Sequence, residues 1–511
     1  MRDTWTNIRD FVTNFRMNPI MLGTVILFVL LACSAGLLWW GEISYIHPGP
    51  AFAAVGSAVV ILVVGLVINN LQAQRNVIRP GRLPRIIGLE VLVERWKRFE
   101  REERDRAILY EQFWIALSMA QLAYGHLQEI RLIKYFSGFK IKGGAFLLQP
   151  GQDSPQVLKF DSLANIEEEK DRYEHCVAPC LGQVPGQPRV PSQWNGNIEG
   201  KKWGAIIYNL IGANQADVGR LGTLSEYYLA RDDPEQITNA LNKMFEALRP
   251  WWASPTWPPD CEQWRRNTLY DEYDRLTRKQ RQMEQGIAQV GQALQIGPLQ
   301  NITASCEYIQ LDDNMNLRNP LNWVRDVFER RQLAGWISQD ELRRDSIVHG
   351  DFHPGNILIS QDEHNQLRAW VIDFPHTHVG PTIQDIARLE ADLKFGLLTD
   401  DTLQELGFSG LFSFEECLLP TPRQSGACFA DLMPGELPTN QQASPQLQKA
   451  WKAVCVLREE ALGYMIGNDA RPYYLALLHA TMPILHYGDR RPWQKLYAFV
   501  SAALLCKYLE G

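Results

Sequence analysis

The sequence predicts an α+β protein of two lobes, a small β-rich lobe and then a large helical one, preceded by two transmembrane helices. Three observations predict it. Two uncharged apolar runs, Ile20 to Trp40 and Ala51 to Ile68, are 21 and 18 residues long. Between 129 and 214, short strand-like runs are broken by glycine turns and by one charged helical stretch. From 215 to 511 the pattern is mostly helical, apart from short strands around 347–374.

The apolar runs come first in the chain. Each is long enough to cross a bilayer as a helix. The link 41–50 is short and holds Pro48 and Pro50, so the pair reads as a hairpin. Trp39, Trp40 and Tyr45 stand where an interfacial aromatic belt is expected. Arg2, Arg9 and Arg16 precede the first span; Arg75, Arg79, Arg82 and Arg85 follow the second. The positive-inside rule then puts both termini in the cytoplasm of a plasma or inner membrane. The expected divisions are a tail at 1–19, spans at 20–40 and 51–69, and an external loop at 41–50. The lipid bilayer is an expected partner.

Residues 70–87 form a basic linker broken by Pro80 and Pro84. Residues 88–128 read as a juxtamembrane helix with alternating charge, a solvated spacer held by i,i+4 pairs. The small lobe is assigned to 129–214 and the large lobe to 215–511. Within the latter, 253–318 is less regular and has room for an insertion. Residues 418–446 read as a loop rich in Pro, Gly, Ser and Gln. Pro472 to Tyr487 and Trp493 to Leu509 read as two amphipathic helices, with Leu496 to Cys506 too short to span a membrane. A net charge of −7 argues against nucleic acid as a partner. Nine cysteines, with only Cys176 and Cys180 close together, make no zinc site; they read as reduced thiols.

The chemistry concentrates in one stretch. Residues 347–359 run Ile-Val-His-Gly-Asp-Phe-His-Pro-Gly-Asn-Ile-Leu-Ile, and Ile372-Asp373-Phe374 follows another apolar run. Phosphoryl transfer in a kinase-like fold needs three polar side chains at this spacing. One Asp, here Asp351, accepts or orients the proton of an attacking hydroxyl. An Asn five residues on, Asn356, turns back to hold a metal. A second Asp, Asp373, ends the next hairpin and holds the cation that bridges the nucleotide phosphates. Such chemistry is mostly positioning and charge neutralisation, so two carboxylates, an amide and a metal suffice.

His349 through Asn356 resembles the catalytic loop of aminoglycoside and choline phosphotransferases, which carry His-Gly-Asp where protein kinases carry His-Arg-Asp. Ile372-Asp373-Phe374 resembles their metal motif, and Pro375 replaces the glycine that protein kinases place next. Gln384-Asp385-Ile386-Ala387 looks like the element whose Asp braces the catalytic loop. The resemblance implies a bilobal protein-kinase-like fold, with His349, His353 and Asp385 as supporting residues. In the small lobe, Phe136-Ser137-Gly138-Phe139 would cover the nucleotide, with Ser137 and Gly138 against it. Val157-Leu158-Lys159-Phe160 resembles the strand whose lysine binds the α- and β-phosphates. Glu169, or Glu168, would pair with Lys159 from the next helix. Tyr208-Asn209-Leu210-Ile211 would be the hinge, with the backbone of Asn209 and Leu210 on the adenine. The implied co-substrate is ATP, with Mg2+ as cofactor and an unidentified hydroxyl of a small molecule or protein as acceptor.

Phe136-Ser137-Gly138, Ile166 through Tyr173 and Ile383 through Lys394 are also similar to a bacterial branch called the ternary complex associated domain. That branch implies signalling or conflict proteins as partners. Three other readings compete with this one. A metallophosphoesterase would need further dispersed metal-binding elements, and its Gly-Asn-His element does not occur in the sequence. A P-loop is excluded, because 196–202 has the wrong glycine spacing and ends in Lys-Lys. A membrane-tethered pseudokinase acting as a nucleotide-sensing scaffold stays open, since the glycine turn is poor and Pro375 follows the metal Asp.

Overall fold

The computed structural model describes residues 84–88, 91 and, with gaps, 115–510; the main gaps are 137–142, 182–187, 190–192, 199–200, 214–218 and 420–431. The expected spans at 20–40 and 51–69 lie outside the described residues. Among the described residues no helix is long and apolar enough to cross a membrane. Residues 82–511 form one compact unit.

The small lobe is a seven-stranded sheet. Its strands are β1 (Arg85–Ile87), β2 (Glu129–Phe136), β3 (Gly144–Pro150), β4 (Gln156–Ser162), β5 (Pro188–Arg189), β6 (Gln193–Ile198) and β7 (Lys201–Leu210). The order is β1-β2-β3-β4-β7-β5, with β6 also on β7. β1 is parallel to β2, and the other pairs are antiparallel. Period-two alternation sorts β7 into two faces. Ile206, Tyr208 and Leu210 join the main core, while Ala205 and Ile207 join a second cluster on the outer face.

Ile115, Met119, Ala120, Ala123 and Tyr124 cover that outer face. The solvated-spacer reading therefore does not hold for 115–124, where apolar residues at helical spacing are buried under the sheet. Helix α1 (Leu163–Arg172) follows β4 directly, and the Ser162 hydroxyl caps it by accepting the Asn165 N–H at 3.4 Å. It crosses β7 at Gly204, where a Cβ would stand 3.0 Å from Ile166 Cβ. A helical turn at Tyr173–Val177 continues it.

The large lobe holds α2 (Pro234–Trp252), α3 (Gln280–Ala293), α4 (Ile383–Asp392), α5 (Asp400–Leu418), α6 (Pro445–Leu462), α7 (Arg471–Thr481) and α8 (Pro492–Glu510). Its strands are β8 (Gly222–Thr223), the hairpin β9 (Tyr308–Asp312) and β10 (Met315–Arg318), then β11 (Asp345–Val348), β12 (Ile357–Gln361), β13 (Leu367–Val371) and β14 (His378–Pro381). β12 pairs with β13 and β8; β11 pairs with β14. Helices α7 and α8 are buried on nearly every side rather than amphipathic. Such all-round burial belongs at the centre of a helical lobe. The apolar stretch Leu496 to Cys506 is core, Leu504 alone being partly exposed.

Two features depart from the sequence reading. Cys176 and Cys261 are joined in a disulfide across 85 residues, so they are not free thiols, and the close neighbour Cys180 is unpaired. The helices also enclose charge. Arg458 makes two hydrogen bonds to Glu390, at 2.9 and 2.6 Å, and Lys394 stands 2.7 Å from Glu415, with all four side chains fully buried. Tyr473 donates to Glu390 at 2.7 Å; Tyr497 and Ser501 donate to Glu415 at 2.8 and 2.6 Å.

Candidate active site

Backbone conformation sets the site. Gly350 has φ +77°, and a Cβ there would stand 2.2 Å from the His376 carbonyl oxygen. Only glycine fits, which accounts for His-Gly-Asp in place of a larger middle residue. Asp385, near the start of α4, accepts the backbone N–H of His349 at 2.7 Å and of Gly350 at 3.0 Å. Its Oδ2 also takes the Trp252 indole N–H at 3.2 Å. His349 is fully buried. Its Nδ1 accepts the Asp351 N–H at 3.3 Å, and its Nε2–H donates to the Ile372 carbonyl at 3.0 Å. Burial lowers its pKa, against the pull of Asp385, so the ring is neutral and its tautomer is set by these two bonds.

Asp351 opens onto the site, 37% of its side chain exposed. Arg388 stands 3.4 Å from its carboxylate and His353 3.9 Å. Desolvation by the surrounding walls would raise its pKa. His353, Arg388, His376 and His349 outweigh that and hold it below the usual carboxylate range. Arg388 in turn lies 3.2 Å from Asp392, which Arg490 meets at 2.9 Å. The Asn356 Nδ2 donates to the Asp351 carbonyl at 3.0 Å, leaving Oδ1 as the end not used by that bond. His353 Nδ1 accepts the Gly355 N–H at 3.1 Å and shapes the same turn.

Ile357 pairs with Val371 at the start of the β12–β13 hairpin, so Asn356 and Asp373 come to one end of it. Asp373 takes a left-handed φ of +74°, uncommon outside glycine but tolerated by Asp. Its Oδ1 accepts from the Lys159 ammonium at 2.6 Å. Lys159 also bonds Glu169 on α1, and Glu169 accepts from the Tyr208 hydroxyl and, at 3.3 Å, from the Phe374 N–H. Burial alone would lower the Lys159 pKa; Asp373 and Glu169 outweigh it and push it up. Burial raises Glu169 despite Lys159, while Lys159 overcomes burial to keep Asp373 low.

The structure thus brings Lys159, Glu169, Asn356 and Asp373 together with Asp351, His349, His353 and Asp385. Glu168 faces outward and pairs with Arg172 at 2.8 Å. Ser137 and Gly138 lie outside the described residues. Asn209 shares the sheet face of Ala205 and Ile207, so alternation points its side chain away from the site. Its backbone pairs with Gln156 on one side and Arg189 on the other, and Leu210 pairs with Pro188. The hinge edge expected to be free for adenine carries β5. Sequence reading missed Arg388, Trp252 and Tyr208 as contacts of the site. Arg388 alone left a signal, lying three residues after Asp385 on the same helix face.

A divalent cation fits the donors present. Asn356 and Asp373 offer hard oxygens of the kind Mg2+ takes, and Mg2+ bound with substrate phosphates needs only one or two protein ligands. Among the described residues there is no cluster of three or more His, Cys, Asp and Glu suited to a metal.

Residues 276–486 match the family model described as ternary complex associated domain 9. That match contains α4, where Ile383 through Lys394 carries part of the sequence resemblance. No curated protein matches the chain. Among solved structures, a microcompartment-associated aminopropanol kinase aligns at 16% identity over 77% of this chain and 97% of its own, with a TM-score of 0.34. The aminoglycoside phosphotransferase APH(4)-Ia, bound to ADP and hygromycin B, aligns at 13% identity over 77% and 99%, with a TM-score of 0.37. ADP-bound APH(2'')-Ib aligns at 14% identity over 76% and 98%, with a TM-score of 0.35.

Proposed function

We propose that the chain is a membrane-anchored phosphotransferase that moves the γ-phosphoryl group of ATP to a hydroxyl acceptor. The observation that carries it is the convergence of Asp351, Asn356 and Asp373 with the Lys159–Glu169 ion pair. In this reading Lys159 holds the α- and β-phosphates and Glu169 fixes the lysine. Asp351, held ionised, receives the acceptor's proton or holds its hydroxyl in line. Asn356 and Asp373 hold Mg2+, which when bound neutralises the phosphates. The apolar runs and their arginine flanks support anchoring, with the site facing cytoplasmic nucleotide. The test is nucleotide turnover by the full chain in detergent, wild type against Asp351→Asn, beside calorimetric nucleotide binding. Turnover lost with binding kept supports the reading; equal turnover in both ends it.

One observation favours a second reading. β5 occupies the backbone edge of Asn209 and Leu210, where adenine would bind. A nucleotide-sensing scaffold, whose ligand displaces β5 without being turned over, would use that arrangement. Wild-type binding without turnover, unaffected by Asp351→Asn, selects it.

A further inference from the structure

The end of α1 is tied to the large lobe twice over, by one covalent bond and by a group of weaker contacts. Cys176 lies in the helical turn that continues α1, seven residues after Glu169. Cys261 lies in the short helix Pro259–Trp264 of the large lobe. Their sulphurs are bonded, and both residues are fully buried. Beside the bond, His175 stands 3.5 Å from Asp260, and its ring lies 5.9 Å from that of Trp264. Arg172 lies over the Trp264 ring at 5.6 Å and donates to the Thr377 carbonyl at 2.6 Å, just beyond Asp373 in the chain. Asp260 is exposed and His175 partly so, and such a pair contributes little. The disulfide is therefore the strongest of these ties.

We propose that Cys176 and Cys261 form a reversible redox modification site that sets the position of α1 and thereby nucleotide affinity. The proposal rests on the phosphotransferase reading for its consequence, not for its chemistry. Glu169 rides on α1 and bonds Lys159, Tyr208 and the Phe374 N–H. Lifting the end of α1 loosens all three, and the lysine loses the carboxylate that aims it. Helix position controls the lysine–glutamate pair in kinase-like sites generally. The oxidised state holds the pair formed. Reduction by a dithiol breaks the sulphur–sulphur bond and leaves two thiols. The two protons and two electrons come from the dithiol, which closes to its own disulfide. A domain facing the cytoplasm meets such thiols, and disulfides there are usually transient and redox-sensing.

The test uses the full chain in detergent, purified without reductant and then split into untreated and dithiothreitol-treated halves. Iodoacetamide labelling of each half after unfolding in denaturant, with peptide mass measurement, should find Cys176 and Cys261 blocked before reduction and labelled after it. The exposed Cys306 should be labelled in both, as a control. Amide hydrogen exchange over 163–177 should quicken on reduction. Affinity for ATP with magnesium should fall roughly fivefold or more, the usual scale of coupling between sites. Cys261→Ser should match the reduced wild type in either buffer; if that variant does not fold, the two wild-type halves carry the comparison. Labelling of both cysteines before reduction overturns the proposal, as do unchanged exchange and affinity after it. If neither half binds nucleotide, the phosphotransferase reading falls, and hydrogen exchange alone decides the redox site: quicker on reduction keeps it, unchanged overturns it.

Discussion

Asp373 sits at φ +74° with one oxygen on Lys159, while Asp351 is ringed by Arg388 and three histidines and opens toward solvent. The same substitution should therefore act differently at the two positions. Asp351→Asn keeps size and polarity but removes the proton acceptor; turnover should fall about 10²–10⁴-fold while nucleotide affinity stays near wild type. Asp373→Asn should weaken nucleotide binding and turnover together, because it removes both a cation ligand and a partner of Lys159. Calorimetry and turnover on both variants check this, and equal loss of binding in the two would argue for general damage instead. Gly350→Ala makes a third case. A Cβ 2.2 Å from the His376 oxygen, at a left-handed φ, should cost at least about 1–3 kcal/mol by thermal denaturation. The catalytic loop was legible because its residues are contiguous and chemically distinctive. Tyr208 and Trp252 were not, because an aromatic on an apolar strand or helix reads as core until its polar end is seen to meet a carboxylate.

Among elements, α1 and the paired helices α4 and α6 show how buried polar groups fix an arrangement. Glu390 on α4 receives Arg458 from α6 and Tyr473 from α7, and none of the three is exposed. Removing one partner leaves an uncompensated charge without water, so Arg458→Met should destabilise the large lobe by about 3–5 kcal/mol in chemical denaturation. The paired change Arg458→Met with Glu390→Leu should recover much of that loss, since two apolar side chains need no partner. Failure of the double change to recover would mean that Arg458 acts mainly through the carbonyls of Leu418 and Leu432, the latter 3.1 Å away. The succession of β2, β3, β4 and α1 along the chain could be read from glycine turns and charge; the sheet order, with β1 inside the expected linker, could not. The burial of α7 and α8 could not: their sequences permit an amphipathic reading, and only packing by α4, α5 and α3 encloses every side. The Cys176–Cys261 bond was equally hidden, because the partners are 85 residues apart and the nearer cysteine, Cys180, drew attention.

At the scale of the whole molecule, the proposed site and the proposed anchor constrain one another. A site that uses ATP must face the compartment that holds it. The arginines at 2, 9 and 16 and those at 75, 79, 82 and 85 flank the two apolar runs, whereas the link 41–50 carries no Lys or Arg. Lys and Arg near span ends set orientation, so the proposed spans would put both flanks on the cytoplasmic side. Two expectations follow for cells whose outer surface is exposed to a non-permeant protease. Cleavage should be confined to the neighbourhood of 41–50, and a C-terminal tag should survive intact on the large fragment. Permeabilising the membrane should then make the rest of the chain accessible to the same protease. A large lobe cut in intact cells would place Asp351 and Asp373 outside, where ATP is scarce, and would leave a phosphotransferase without its co-substrate. A chain recovered in the soluble fraction, with 41–50 no more accessible than the rest, would remove the anchor while leaving the Lys159–Glu169–Asp373 site untouched.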